Sequence, residues 1–207
     1  MLDYRTFGAN TYLLRTGEGT LLVDSGLPGT REKVLAWARE EGVTALLLTH
    51  HHPDHAGGAR HLWEALALPI YAHPLDLAYL TGERPRPPLG IPVVGRLLSF
   101  PVPPVPRAAI QTLEEGDTLM GWQVVHLPGH TPGQIGLLRE GVLVAADAVG
   151  SRRGQARLAP AFLAEDNTQA RFTVRKITNL EPREVYVGHG PVTTGESVRA
   201  LAESLGV

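Results

Sequence analysis

LLLTHHHPDHAGG, residues 46–58, sets four of the chain's nine histidines within six positions, with Asp54 between the third and the fourth. Just before them TALLLT (44–49) forms a short apolar run of the kind buried on both faces of a sheet, and just after come Gly57 and Gly58. The spacing predicts that a buried strand delivers the chain directly into the histidines. Where a strand ends, side chains two apart point the same way, so His50 and His52 can converge on one ion while His51 points elsewhere as a spacer. Asp54 and His55 lie beyond, where the chain turns toward the next helix, and can face a second ion. Gly57 and Gly58 let the chain turn closely behind them. In a chain with this His and Asp content, a random H-x-H-x-D-H match arises on the order of one time in two thousand.

Four neighbouring residues cannot complete two metal shells, so further donors are required at other strand ends. His130 stands in LPGHTPG directly after WQVVHL, in a turn whose Gly and Pro hold an imidazole rigidly. Asp147 closes the apolar run VLVAAD, where a carboxylate is costly unless paired or metal-bound. His189 closes EVYV in VGHGP. All seven candidates fall at or just after C-terminal strand ends, where α/β sheets place their sites.

The rest of the chain is consistent with such a sheet protein. Of its 207 residues 43% are apolar, which is enough for a single domain with one core over 1–207. TYLLR (11–15) and TLLVD (20–24) read as strands, REKVLAWAREEG as a helix, then ARHLWEAL as a helix and IYAH as a strand followed by the short helical PLDLAYL. Residues 81–112 hold eight of the seventeen prolines and read as a long Pro-rich loop insertion. WQVVHL, QIGLLRE and VLVAAD follow as strands, then helix TQARFTVRKITNL, strand EVYVG and helix ESVRALAESL. Strands alternating with helices imply an α/β architecture of mixed sheets.

A net charge of −2 gives no general attraction to nucleic acid or to anionic membrane. No apolar run approaches the roughly 18 residues that span a bilayer, and residues 1–20 lack a signal pattern, so a cytoplasmic protein is expected. The absence of Cys removes disulfides and thiolate ligands. Abundant Arg and Pro with scarce Asn and Met suit a thermophile, or a GC-rich genome. The oligomeric state, including a homo-oligomer, is left open.

THHHPDHAGG, LPGHTPG, AAD and VGHGP, with VDSG at 23–26, resemble the metallo-β-lactamase fold superfamily in the same order and over nearly the whole chain, on the glyoxalase II-like and lactonase-like side. The resemblance implies a four-layer αββα sandwich of two mixed β-sheets flanked by helices, with a two-metal site at one edge. His50, His52 and His130 would then bind the first metal, Asp54, His55 and His189 the second, and Asp147 would bridge them. Asp24 matches an early Asp that supports the site from outside the ligand set, although an Asp in DSG can equally be a strand-end turn residue. The cofactors implied are two divalent ions, zinc first, with iron or manganese suiting the same nitrogen and oxygen donors.

Two such ions, two carboxylates and a bridging hydroxide leave a residual positive charge toward substrate, and the hydroxide is a nucleophile at neutral pH. The implied activity is hydrolysis of a small ester-like molecule, a thioester or lactone before a phosphoester, with Asp54 as the catalytic residue that orients the hydroxide and passes its proton to the leaving group. A mononuclear iron persulfide dioxygenase shares a similar motif and stays open as a different class. Lactamases with a Cys ligand are excluded by composition. The eighteen residues after His189 disfavour the longer glyoxalase II, whose helical C-terminal domain helps hold glutathione. Substrate choice is expected from the 81–112 segment and from Arg152 and Arg153 after Asp147, which can receive a carboxylate or phosphate. His73, closing IYAH, can contact substrate or serve the structure. His61 and His126 are expected in surface or packing positions.

Overall fold

A computed structural model describes residues 2–87 and 101–207. The chain forms two compact units, Met1–Leu113 and Glu114–Val207. In the first, β1 (Leu2–Phe7), β2 (Ala9–Thr16), β3 (Gly19–Val23), β4 (Val43–Leu47), β5 (Ile70–Ala72) and β6 (Ile110–Thr112) lie side by side in that order. The strands β1 to β3 pair antiparallel, and β3 to β6 run parallel. Parallel neighbours need crossovers, and α1 (Arg31–Glu40), α2 (Pro53–Ala56), α3 (Ala59–Leu66) and α4 (Leu77–Leu80) lie in them. The apolar residues of α1 recur on one face, so Val34 and Trp37 meet Leu62 of α3 and Leu22, Leu46 and Ile70 of the sheet in one core.

In the second unit, β7 (Thr118–Leu119), β8 (Trp122–His126), β9 (Ile135–Arg139), β10 (Val142–Ala146), β13 (Glu184–Val187) and β14 (Thr193–Thr194) form a sheet of order β14-β13-β10-β9-β8-β7. Strands β11 (Gly150–Arg152) and β12 (Gln155–Arg157) make a separate hairpin. Helix α5 (Asn167–Asn179) opens on Asp166, whose carboxylate accepts the Gln169 N–H at 2.8 Å, and α6 (Gly195–Leu205) opens on Thr194. Val174 and Ile177 of α5, and Val198 and Ala202 of α6, pack on Val125, Leu143 and Val185 of this sheet.

Strand direction decides where the candidate residues emerge. Because β3, β4 and β5 are parallel, Asp24, the 50–55 stretch and His73 leave the first sheet at one end. In the second, β10 and β13 are parallel, and β8 runs with them because both it and β10 oppose β9. His130, Asp147 and His189 thus leave that sheet at one end too.

The differences from the sequence reading have physical causes. LDYRTF forms β1, an edge strand whose central residues are exposed and which carries no apolar alternation. The Pro-rich segment ends sooner than predicted, since Ile110–Thr112 pairs in parallel with β5 as β6. Of that segment, residues 88–100 lie outside the described residues. SRRGQAR is a hairpin turning at Arg153 (φ 55°) and Gly154. Among the described residues, no helix is long and apolar enough to cross a membrane.

Candidate metal centre

Five of the sequence-selected residues come together in the first unit. Asp24 takes a left-handed backbone (φ 66°), tolerable for Asp, and turns its carboxylate back onto the end of β4. It accepts the Thr49 N–H at 2.8 Å and the Thr49 hydroxyl at 2.8 Å, and faces Nδ1 of His55 at 2.7 Å. With its proton given to Asp24, the Thr49 oxygen accepts from Nδ1 of His50, 3.1 Å away. These bonds assign Nδ1–H to both rings and make Nε2 the nitrogen that could ligate an ion, the way metal-binding imidazoles are oriented from behind. Rings of His50 and His52 stand 4.8 Å apart, and those of His50 and His55 4.0 Å. Donor atoms of His50 and His52, and of Asp54 and His55, lie within 4.8 Å of each other. Pro53, at the first position of α2, sets the turn that carries Asp54 and His55 round from His52.

The turn is closed by backbone as expected. Ser25 donates both its N–H, at 2.7 Å, and its hydroxyl, at 2.8 Å, to the His55 carbonyl. A Cβ on Gly58 would stand 2.5 Å from the Ser25 carbonyl oxygen, and one on Gly57 2.4 Å from Pro28. Only glycines allow this approach.

The second unit brings together the other three. Nε2 of His130 and Nε2 of His189 lie 3.3 Å and 3.4 Å from the same oxygen, Oδ2 of Asp147. Ligands of a tetrahedral ion at about 2.0–2.1 Å are separated by roughly 3.3–3.4 Å, so this spacing fits a bridging carboxylate between two imidazoles. Ala146 is left-handed (φ 46°), which swings Asp147 off the strand. Backbone bonds from Glu165 N–H to the His130 carbonyl (3.1 Å) and from Ser151 N–H to the His189 carbonyl (2.9 Å) hold the flanks. The His189 side chain is 48% exposed, against 4% for His130 and 9% for Asp147. The donor set of each unit, imidazole nitrogens and carboxylate oxygens without thiolates, fits divalent ions such as zinc, iron or manganese.

The other residues divide cleanly. His73 is buried and caps a 3-10 turn (Pro74–Asp76), its Nδ1 accepting the Leu75 N–H at 3.3 Å. His61 meets Glu32 at 3.2 Å, and His126 bonds the Pro132 carbonyl at 2.8 Å. Arg152 and Arg153 are exposed on the β11–β12 hairpin. Three residues escaped the sequence reading: Thr49, Asp76 and Arg86. Asp76 is buried against His51, with Oδ2 3.0 Å from Nδ1, and Arg86 Nε donates to the His51 carbonyl at 2.8 Å. Burial lowers the Arg86 pKa from its ordinary value, and the charge of Asp76 opposes that shift. The one sequence signal for Asp76 was its place in the short helical PLDLAYL, just after the strand IYAH.

Known proteins resemble this chain. The family model of the metallo-beta-lactamase superfamily matches residues 4–189, nine-tenths of the chain. The chain is 30% identical to the probable metallo-hydrolase YflN of Bacillus subtilis, over 93% of this chain and 84% of that one. It is 33% identical to a hydroxyacylglutathione hydrolase of Anaeromyxobacter dehalogenans, over 79% of this chain but only 58% of that protein, so it spans little more than half the relative's length. Among solved structures, TTHA1623 in a di-iron-bound form superposes with a TM-score of 0.77 at 35% identity, covering 96% of this chain and 98% of that one. The BLEG-1 B3 metallo-beta-lactamase follows at 0.74 and 27%, covering 99% of both. The chain belongs to the metallo-β-lactamase superfamily, with its α/β fold of mixed sheets and flanking helices, and is an enzyme of the metal-dependent hydrolase class.

Proposed function

We propose that the chain is a binuclear hydrolase of a small ester-like substrate, a thioester or lactone. The observation that carries this reading is the pair of imidazoles, His130 and His189, aimed at one oxygen of Asp147. In it His50, His52 and His130 would hold one ion and Asp54, His55 and His189 the other, with Asp147 serving both. Bound divalent ions would supply Lewis acidity and ionise water near neutral pH. Asp54 accepts the proton of the attacking water and delivers it to the leaving group. Asp24 and Thr49 keep His55 and His50 in the tautomer that ligates. His73 is engaged in its turn and takes a structural part.

The likeness to hydroxyacylglutathione hydrolases supports a thioester, and the di-iron form of TTHA1623 supports iron as an occupant besides zinc. Arg152 and Arg153 are assigned to an anionic group of the substrate: their hairpin begins three residues after Asp147 and bonds the His189 carbonyl. Purified, metal-analysed protein assayed against thioesters, lactones, phosphodiesters and β-lactams tests the reading. Chelator-sensitive cleavage of a thioester or lactone is expected. Turnover of phosphodiesters or β-lactams alone would overturn the substrate assignment.

A further inference from the structure

We propose that His51 is the fulcrum of the metal-binding stretch, and that Asp76 and Arg86 are positioning residues that lock it so that His50 and His52 are presented in ligating geometry. The proposal rests on the reading of those two histidines as ligands. His51 is fully buried, and its N–H, its carbonyl and its Nδ1 each meet a side chain from outside β4. Oδ2 of Asp76 accepts the His51 N–H at 2.9 Å and faces its Nδ1 at 3.0 Å. Nε of Arg86 donates to the His51 carbonyl at 2.8 Å. The ring lies flat against Tyr79, with centroids 4.3 Å apart and planes at 26°, and the Arg84 guanidinium lies over the same tyrosine.

The two backbone bonds act on different peptide planes. The N–H of His51 belongs to the plane it shares with His50, and its carbonyl to the plane it shares with His52. Asp76 therefore fixes the plane that carries one ligand, and Arg86 the plane that carries the other. A rotation of about 10° in either plane moves an imidazole nitrogen roughly 5 Å away by nearly 1 Å, beyond the ~0.5 Å that a working site tolerates. Arg86 is itself held stiffly: it lies between Pro85 and Pro87, and a residue before proline is confined to extended backbone. A buried carboxylate–histidine pair is a poor stabiliser by itself, so orientation is the effect that distinguishes this one.

Zinc affinity measured by chelator competition on the full chain tests the proposal, with the metal-free proteins melted in parallel. Asp76→Asn keeps the shape and removes the charge, and is expected to weaken zinc binding 10- to 100-fold while the metal-free protein stays folded. Arg86→Gln should weaken binding less, and Arg86→Lys, which can still donate to the carbonyl, should restore it. The visible spectrum of the cobalt(II)-loaded Asp76→Asn protein should shift from that of the parent. Wild-type affinity and an unchanged cobalt spectrum in folded Asp76→Asn overturn the proposal, as does a loss of affinity no larger than the loss of metal-free stability. If the parent protein itself fails to bind two ions, the functional reading fails. If it binds two and the Asn variant matches it, the positioning role alone fails.

Discussion

The two donor groups are held by different means. In the first unit side chains do the holding: Thr49 backs His50, Asp24 backs His55 and Asp76 backs His51, all buried. In the second the backbone does it, through the left-handed Ala146, the bonds to the His130 and His189 carbonyls, and Gly190. Removing a charge behind the donors should therefore injure the first group, whereas the supports of the second are open to steric change.

The largest effect falls on chemistry itself. Asp54→Asn should lower turnover by about 10²–10⁴-fold with metal content retained, measured as kcat alongside metal analysis. Near-parental turnover in a fully loaded protein would remove Asp54 from its role. Next comes the backbone-held group. Gly190 has φ 102°, and a Cβ there would stand 1.8 Å from the Ser151 carbonyl oxygen. Gly190→Ala should cost about 3 kcal/mol or more in denaturant unfolding, because both strain and overlap must be relieved. Unchanged stability would show that the His189 turn is not held as described. Asp24→Asn follows, with an expected 10- to 100-fold loss of zinc affinity in chelator competition and little change in metal-free stability. Parental affinity in folded Asp24→Asn would erase the contrast between the groups.

The smallest effect lies away from both. Lys176 bonds Glu115 at 2.8 Å, and the His126 N–H donates to it. Partial burial alone would raise the Glu115 pKa, but these donors and the lysine charge outweigh it and leave the carboxyl below its ordinary value. The folded state thus favours the ionised form. Its contribution is complete above the ordinary glutamate pKa and fades as pH falls toward the depressed one. Solvent screening keeps it under about 1 kcal/mol. Glu115→Gln should be slightly less stable at neutral pH, and the difference should vanish in acid, as read from melting curves at several pH values.

What could be read in the sequence follows the same division. Strands buried on both faces, such as TALLLT and VLVAA, declare themselves by apolar runs, and the donors at their ends stood out by residue type. The edge strand β1 and the two-residue strands β7 and β14 did not, since short or exposed strands carry no burial pattern. Gly57 and Gly58 were legible by residue type and by their place after the histidines, although Pro28 and Ser25, which they approach, lie far back in the chain. Asp76 and Arg86 were not, because what they hold lies 25 and 35 residues away and only the parallel pairing of β4 and β5 brings Asp76 to His51.

Metal stoichiometry measured together with oxygen uptake tests the central claim most directly. The account predicts two divalent ions per chain, and thioester or lactone cleavage without oxygen consumption. A single iron per chain, with oxygen consumed as a persulfide substrate is oxidised, would contradict it.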